Sequence, residues 1–168
     1  MAKKLLVLCM AAIMAVAALV AGCGGDQKAA SDNKVLKVGT NADFAPFEFQ
    51  DENGKEYQGF DMDLIRAIGE EMGYKVEISN IQFDGLIPAI QAGNIDVAIT
   101  GMTINEERKQ NVLFSDPYYK SGLSIIVAKD NNDIKTFQDL KGKKVAVQIG
   151  TTSAAEVNKI GGVEVKEF

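Results

Sequence analysis

Ile95-Asp-Val-Ala-Ile-Thr100 runs directly into Gly101-Met-Thr-Ile-Asn-Glu-Glu-Arg108, and this passage decides the fold. Its first part is a near-continuous apolar run, the pattern of a strand buried on both faces of a parallel sheet. A glycine ends the run, a threonine follows, and an arginine closes the passage at the start of a short helical turn. Free backbone N–H groups, a hydroxyl and a guanidinium would then meet near one point. That set suits a carboxylate, because the planar guanidinium takes both oxygens at once through charge-assisted bonds. The same arginine would also serve as a surface partner of Glu106 or Glu107, and the segment alone leaves both roles open.

Working back from the passage, Asp84 is expected to cap a helix through Gln91, with Leu86, Ile87 and Ile90 inward and Gly93 after its end. Tyr74 to Ser79 alternates as a strand. Asp61 to Met72 reads as a helix with Met62, Ile65, Ile68 and Met72 on one face and Gly73 as its stop. Asp51-Glu-Asn-Gly54 carries turn chemistry between Phe47-Glu-Phe49 and Tyr57-Gln-Gly-Phe60, which predicts a hairpin. Val35 to Val38 is a strand. Working forward, Leu123 to Ala128 is predicted as an apolar strand, Asp139 to Gly142 ends a short helix, and Lys144 to Gln148 is a strand. Gly150-Thr-Thr-Ser153 opens a helix to about Ile160, and Val163 begins a last strand. Strands alternating with helices mean βαβ units and a parallel α/β sheet.

Together these segments resemble the extracytoplasmic solute-binding proteins of polar amino-acid ABC importers (bacterial family 3). Gly59-Phe-Asp-Met-Asp-Leu64 with Ile68-Gly69 and Met72 fits that family's signature, and Asp84-Gly-Leu-Ile-Pro-Ala89, Thr103 to Arg108, Phe114-Ser-Asp-Pro-Tyr118 and Gly150-Thr-Thr152 follow in its order. The resemblance implies the two-lobed α/β fold of type II periplasmic binding proteins, with the ligand between the lobes at the carboxyl ends of the strands. It further implies lobe one over residues 34–120, without its C-terminal return segment, and only the N-terminal part of lobe two over residues 121–168. The chain would then be truncated relative to the family.

The family's ligand carboxylate is held by an arginine and a threonine, which match Arg108 and Thr103. Thr100 and the Gly101 backbone match the strand end that meets the ligand amino group. Phe44 and Phe83 match the aromatic walls around the ligand side chain, where a ring face also attracts an ammonium; core packing is the alternative for both. Asn41 is the specificity position, and its amide offers donors and acceptors. It favours an uncharged polar amino acid over lysine or arginine, although Asp43 and Glu48 could supply charge nearby. Gln148 matches a side-chain contact. Thr152 matches a contact to the carboxylate from a helix N-terminus, with a plain Ser/Thr cap as the alternative. Asp61 and Asp63, at a helix start, are read as structural.

Composition narrows the function. With 18 basic and 23 acidic residues and a net charge of −5, the chain is not a nucleic-acid binder. It has no histidine, which removes histidine acid–base catalysis and histidine metal sites. No catalytic residue, metal or cofactor is expected. Lys3-Lys4, the apolar run Leu5 to Ala21, and Gly22-Cys23 read as a lipoprotein signal peptide over residues 1–22 with lipid on Cys23, an uncleaved anchor being the alternative. Residues 23–33 read as a flexible linker. Cys9 and Cys23 are the two cysteines, so no disulfide is expected in the mature body. The expectation is a monomeric, lipid-anchored extracytoplasmic protein that captures a free polar amino acid and delivers it to an ABC permease. The alternatives are a lyase of this fold acting on a cyclic amino acid, or the sensing ectodomain of a receptor.

Overall fold

The computed structural model describes residues 34–168. The expected signal peptide, the lipid-bearing Cys23 and the linker lie outside the described residues. β1 (Lys34–Thr40) lies between β5 (Tyr74–Asn80) and β6 (Val97–Ala98), and both pairings are parallel. A small antiparallel sheet of β2 (Asp43–Phe44), β3 (Glu48–Gln50) and β4 (Tyr57–Gln58) follows β1, with the expected turn between its last two strands. α1 (Phe60–Met72) leads from it into β5, and α2 (Leu86–Gln91) leads from β5 to β6.

Alternation along β1 sends successive residues to opposite faces. Val38 joins Met62 and Ile65 of α1, with Ile99, in the buried core. Gly39 faces the other way. A β-carbon there would lie 2.5 Å from Ile95 and 2.8 Å from Leu86, so the missing side chain is what lets this layer close on the sheet. Helices therefore cover both faces, as a parallel sheet requires.

The buried stripe of α1 differs from the expected one. It comprises Asp61, Met62, Ile65 and Gly69, whereas Ile68 and Met72 are exposed. Gly69 is the reason: a β-carbon there would meet Val76 Cγ2 at 2.3 Å, so the helix sits against β5 on a glycine contact that hydropathy does not register. Gly73 closes the helix in the left-handed conformation at φ 72°. Asp84 does not cap α2. A 3-10 turn, Phe83–Gly85, precedes the helix, and Gly85 is the N-cap with no side-chain bond. β6 is shorter than the apolar run predicted, because only Val97 and Ala98 are registered against β1.

The second part is built on β7 (Lys144–Val147) and β8 (Glu164–Glu167), parallel and joined through α4 (Thr152–Asn158). A shorter α3 (Glu106–Lys109) precedes it in the chain, and Phe137–Leu140 forms a 3-10 turn with a Thr136–Asp139 capping box. Leu140, Ala154 and Val157 are buried here. Leu123 to Ala128 is not a strand, contrary to expectation. Among the described residues no strand pairs with it, and β propensity without a partner ladder does not make a strand.

Candidate functional site

β1 and β6 are parallel, so their carboxyl ends lie together, and the chain leaves them at Asn41 and at Thr100–Gly101. Asn41 N–H donates to Thr100 Oγ1 at 3.0 Å, tying the two exits into one floor. The Phe44 ring lies across this floor: a β-carbon at Gly101 would sit 3.6 Å from two of its carbons. Phe44 is 55% exposed and stacks on Phe47 at 5.6 Å, so it is not core.

Arg108 is carried by α3. Asn105 caps that helix, its Oδ1 accepting from Arg108 N–H at 2.8 Å. The guanidinium turns inward instead of pairing with Glu106 or Glu107, and the residue is 8% exposed. Its Nη1 donates to the Thr103 carbonyl at 2.7 Å, and its Cζ lies 5.3 Å from the centre of the Phe83 ring. Burial lowers its pKa from the usual arginine value, with Glu107 opposing the shift. A guanidinium held between an aromatic face and a carbonyl is preorganised to receive a carboxylate. Thr103 itself is exposed.

The second part of the chain reaches the same place. Gln148 Nε2 donates to Asn41 Oδ1 at 2.6 Å, and Arg108 Nη2 donates to the Gly150 carbonyl at 2.9 Å. Gly150 has φ 74°, and a β-carbon on it would lie 3.0 Å from Asp84 Cβ. Asn41 also donates through Nδ2 to Asp43 at 3.1 Å, so that corner carries a carboxylate. Asn41 therefore meets Thr100 and Gln148, Phe44 lies over Gly101, and Arg108 meets Phe83 and the Thr103 and Gly150 carbonyls. At α4, Thr151 is the cap, accepting from Ala154 N–H at 3.2 Å, which leaves the Thr152 hydroxyl outside the capping role.

Two details differ from expectation. The Gly101 N–H is not free, since it donates to Asp61 Oδ2 at 2.8 Å. The Thr100 hydroxyl is also turned inward, donating to Glu48 Oε1 at 3.0 Å. The Thr100 and Gly101 carbonyls accept no hydrogen bond among the described residues, so this turn offers acceptors, which suits an ammonium. Asp61, Glu48 and Tyr118 form a layer under the floor that sequence reasoning did not assemble. Tyr118 O–H donates to Asp61 Oδ2 at 2.8 Å. Burial, then the bond to Asp61, raises the Tyr118 hydroxyl above its usual pKa. The signal in sequence was a pair of carboxylates inside apolar surroundings, Phe47-Glu-Phe49 and Gly59-Phe-Asp-Met62, which surface positions do not need.

The profile of the bacterial extracellular solute-binding proteins, family 3, matches residues 36–163. The chain belongs to this family. It shares 39% identity over 150 residues with the arginine-binding extracellular protein ArtP of Bacillus subtilis (strain 168), covering 89% of this chain and 57% of that protein. Among solved structures, an ancestral arginine-binding protein bound to arginine is 55% identical with a TM-score of 0.78, over 80% of this chain and 60% of that one. An ancestral arginine-binding protein bound to glutamine is 56% identical with a TM-score of 0.77, over the same shares. The chain thus spans about three-fifths of the length of these relatives. The two-lobed type II fold follows for this family member, with the second lobe incomplete in this sequence.

Proposed function

We propose that this chain is the extracytoplasmic receptor of an amino-acid ABC importer, and that it holds a polar amino acid by its carboxylate on Arg108. The observation that carries the reading is the buried guanidinium, fixed by Phe83 and by the Thr103 and Gly150 carbonyls. Thr103 and Thr152 would add hydroxyl donors to the same carboxylate. The carbonyls of the Thr100–Gly101 turn would accept from the ammonium. Phe44 and Phe83 would flank the ligand side chain. Its far end would meet Asn41, Gln148 and the Asp43 carboxylate.

Asn41 alone favours an uncharged ligand. The names of the similar proteins and the Asp43 carboxylate beside Asn41 move the reading to arginine, with glutamine second. Residues 34–120 would form lobe one and residues 121–168 the start of lobe two. Gln148 and Gly150 belong to the latter, so contacts such as theirs are the ones that closure on a ligand would exchange. Lipid on Cys23 would keep the protein at the membrane surface, beside the permease it supplies. Thermal unfolding of the chain in the presence of each of the twenty amino acids tests this. A ligand at about 100 times Kd stabilises by about 2.7 kcal/mol. Arginine or glutamine is expected to raise the midpoint, and the absence of a shift with any amino acid would refute the reading.

A further inference from the structure

Beneath the cleft floor lie two acids that the ligand reading does not use. Glu48 is 1% exposed and Asp61 is fully buried. They come from different elements, β3 and the first turn of α1, and they hydrogen-bond neighbouring residues of one turn, Glu48 at Thr100 and Asp61 at Gly101. Each carboxyl has one oxygen in use. Glu48 Oε1 accepts from Thr100 O–H, and Asp61 Oδ2 accepts from Gly101 N–H and Tyr118 O–H. The other oxygen of each, Glu48 Oε2 and Asp61 Oδ1, is buried with no partner. None of the ion pairs among the described residues includes either acid.

Two buried carboxylates side by side without a cation are costly, and so are two orphaned buried oxygens. One proton removes both problems. We infer that Glu48 carries a proton on Oε2 and donates it to Asp61 Oδ1, and that this singly charged pair is the positioning device for the Thr100–Gly101 turn facing the ligand. Asp61 already accepts from two donors on Oδ2, which places the proton on Glu48. Burial first, then the Asp61 charge, hold the Glu48 carboxyl up at about 8. The remaining groups around the pair leave this assignment intact. Tyr118 is a neutral donor to Asp61, Asp43 is engaged with the Asn41 amide, and Arg66 reaches Asp63 and the Tyr57 carbonyl instead.

The sign of the pH effect follows. The folded chain retains a proton that an unfolded glutamate releases near its ordinary value of 4.5. The stabilisation is whole below that value and is lost as the pH rises through about 8. Above it, two charges repel under the turn to which both acids are bonded, and the turn yields. The effect on binding rests on the amino-acid reading above, whereas the effect on stability does not.

The test compares the full chain with Glu48→Gln, whose amide supplies the same donor without titrating. In the absence of amino acid, the unfolding midpoint of the parent is expected to fall from pH 5 to about 8.5, and that of the variant to stay level over the same window. Infrared spectra of the parent are expected to show a protonated carboxyl band at pH 6 that is lost by pH 9. Equal slopes in parent and variant, or no such band at pH 6, would overturn the shared proton, and the band decides if the variant does not fold. Arginine and glutamine are then titrated at pH 6 and pH 9. The positioning role predicts an affinity loss in the parent about tenfold larger than in the variant, and equal losses would overturn that role. A parent that binds neither amino acid at pH 6, yet shows the slope and the band, refutes the ligand reading and leaves the shared proton standing.

Discussion

Arg108 sits where a charged side chain is costly unless it has a task, in contact with an aromatic face and two carbonyls. Those carbonyls are neutral acceptors, and an incoming carboxylate forms stronger bonds with the same fork. The Phe83 ring contributes by holding the plane of the guanidinium. Phe83→Leu stays apolar and removes the quadrupole, so ligand affinity should fall by roughly 0.5–1 kcal/mol in a calorimetric titration, a few-fold in Kd. That Arg108 and Thr103 would meet was legible because they are five residues apart, although the bond runs to the Thr103 carbonyl and not to its hydroxyl. Gly150 was not seen as a partner of Arg108, because the contact crosses between the two parts of the chain and uses a backbone carbonyl that no side-chain pattern encodes. Glu48 and Asp61 were hidden for a related reason. Each has apolar neighbours in the sequence, one in a hairpin and one at a helix start, but only the fold brings them together.

At the scale of elements, close approach governs as much as periodicity. Gly59 precedes α1 at φ 117°, and a β-carbon there would lie 2.3 Å from the Phe47 carbonyl. This residue docks the hairpin on the helix that carries Asp61. Gly59→Ala incurs both the backbone penalty and the clash, so it should destabilise the chain by more than about 1–3 kcal/mol in denaturant unfolding. Thr151→Ala removes the cap of α4 and should cost about 0.5–2 kcal/mol by the same measurement, with far-ultraviolet dichroism showing loss of helix. The hairpin and the stop at Gly73 were legible from turn chemistry. The inward face of α1 was misjudged at Ile68 and Met72, since the helix approaches the sheet through Gly69, where an absent side chain sets the packing. Leu123 to Ala128 fails as a strand because strand character depends on a neighbour to pair with, which propensity cannot supply.

For the molecule as a whole, the parallel sheet puts the ends of β1 and β6 side by side, and the second part of the chain brings Gln148 and Gly150 against Asn41 and Arg108. Fold class was readable because strand–helix alternation constrains topology strongly. Asn41 presents donor and acceptor together, and of the two acids that the sequence set near it, Asp43 bonds its amide whereas Glu48 bonds Thr100. If closure works through contacts of the Gly150 kind, Gly150→Ala should weaken amino-acid binding several-fold, chiefly through a faster off-rate by stopped-flow fluorescence. The added methyl would press on Asp84 at a backbone angle that alanine disfavours.

The central claim is that the Arg108 guanidinium receives the carboxylate of a polar amino acid. Isothermal titration of arginine and glutamine into the chain and into Arg108→Lys addresses it directly, because lysine keeps the charge and loses the fork. The account predicts heat of association with the parent and at least about tenfold weaker binding by the variant, the equivalent of roughly 1.5–3 kcal/mol. Equal affinity in the two proteins would contradict it.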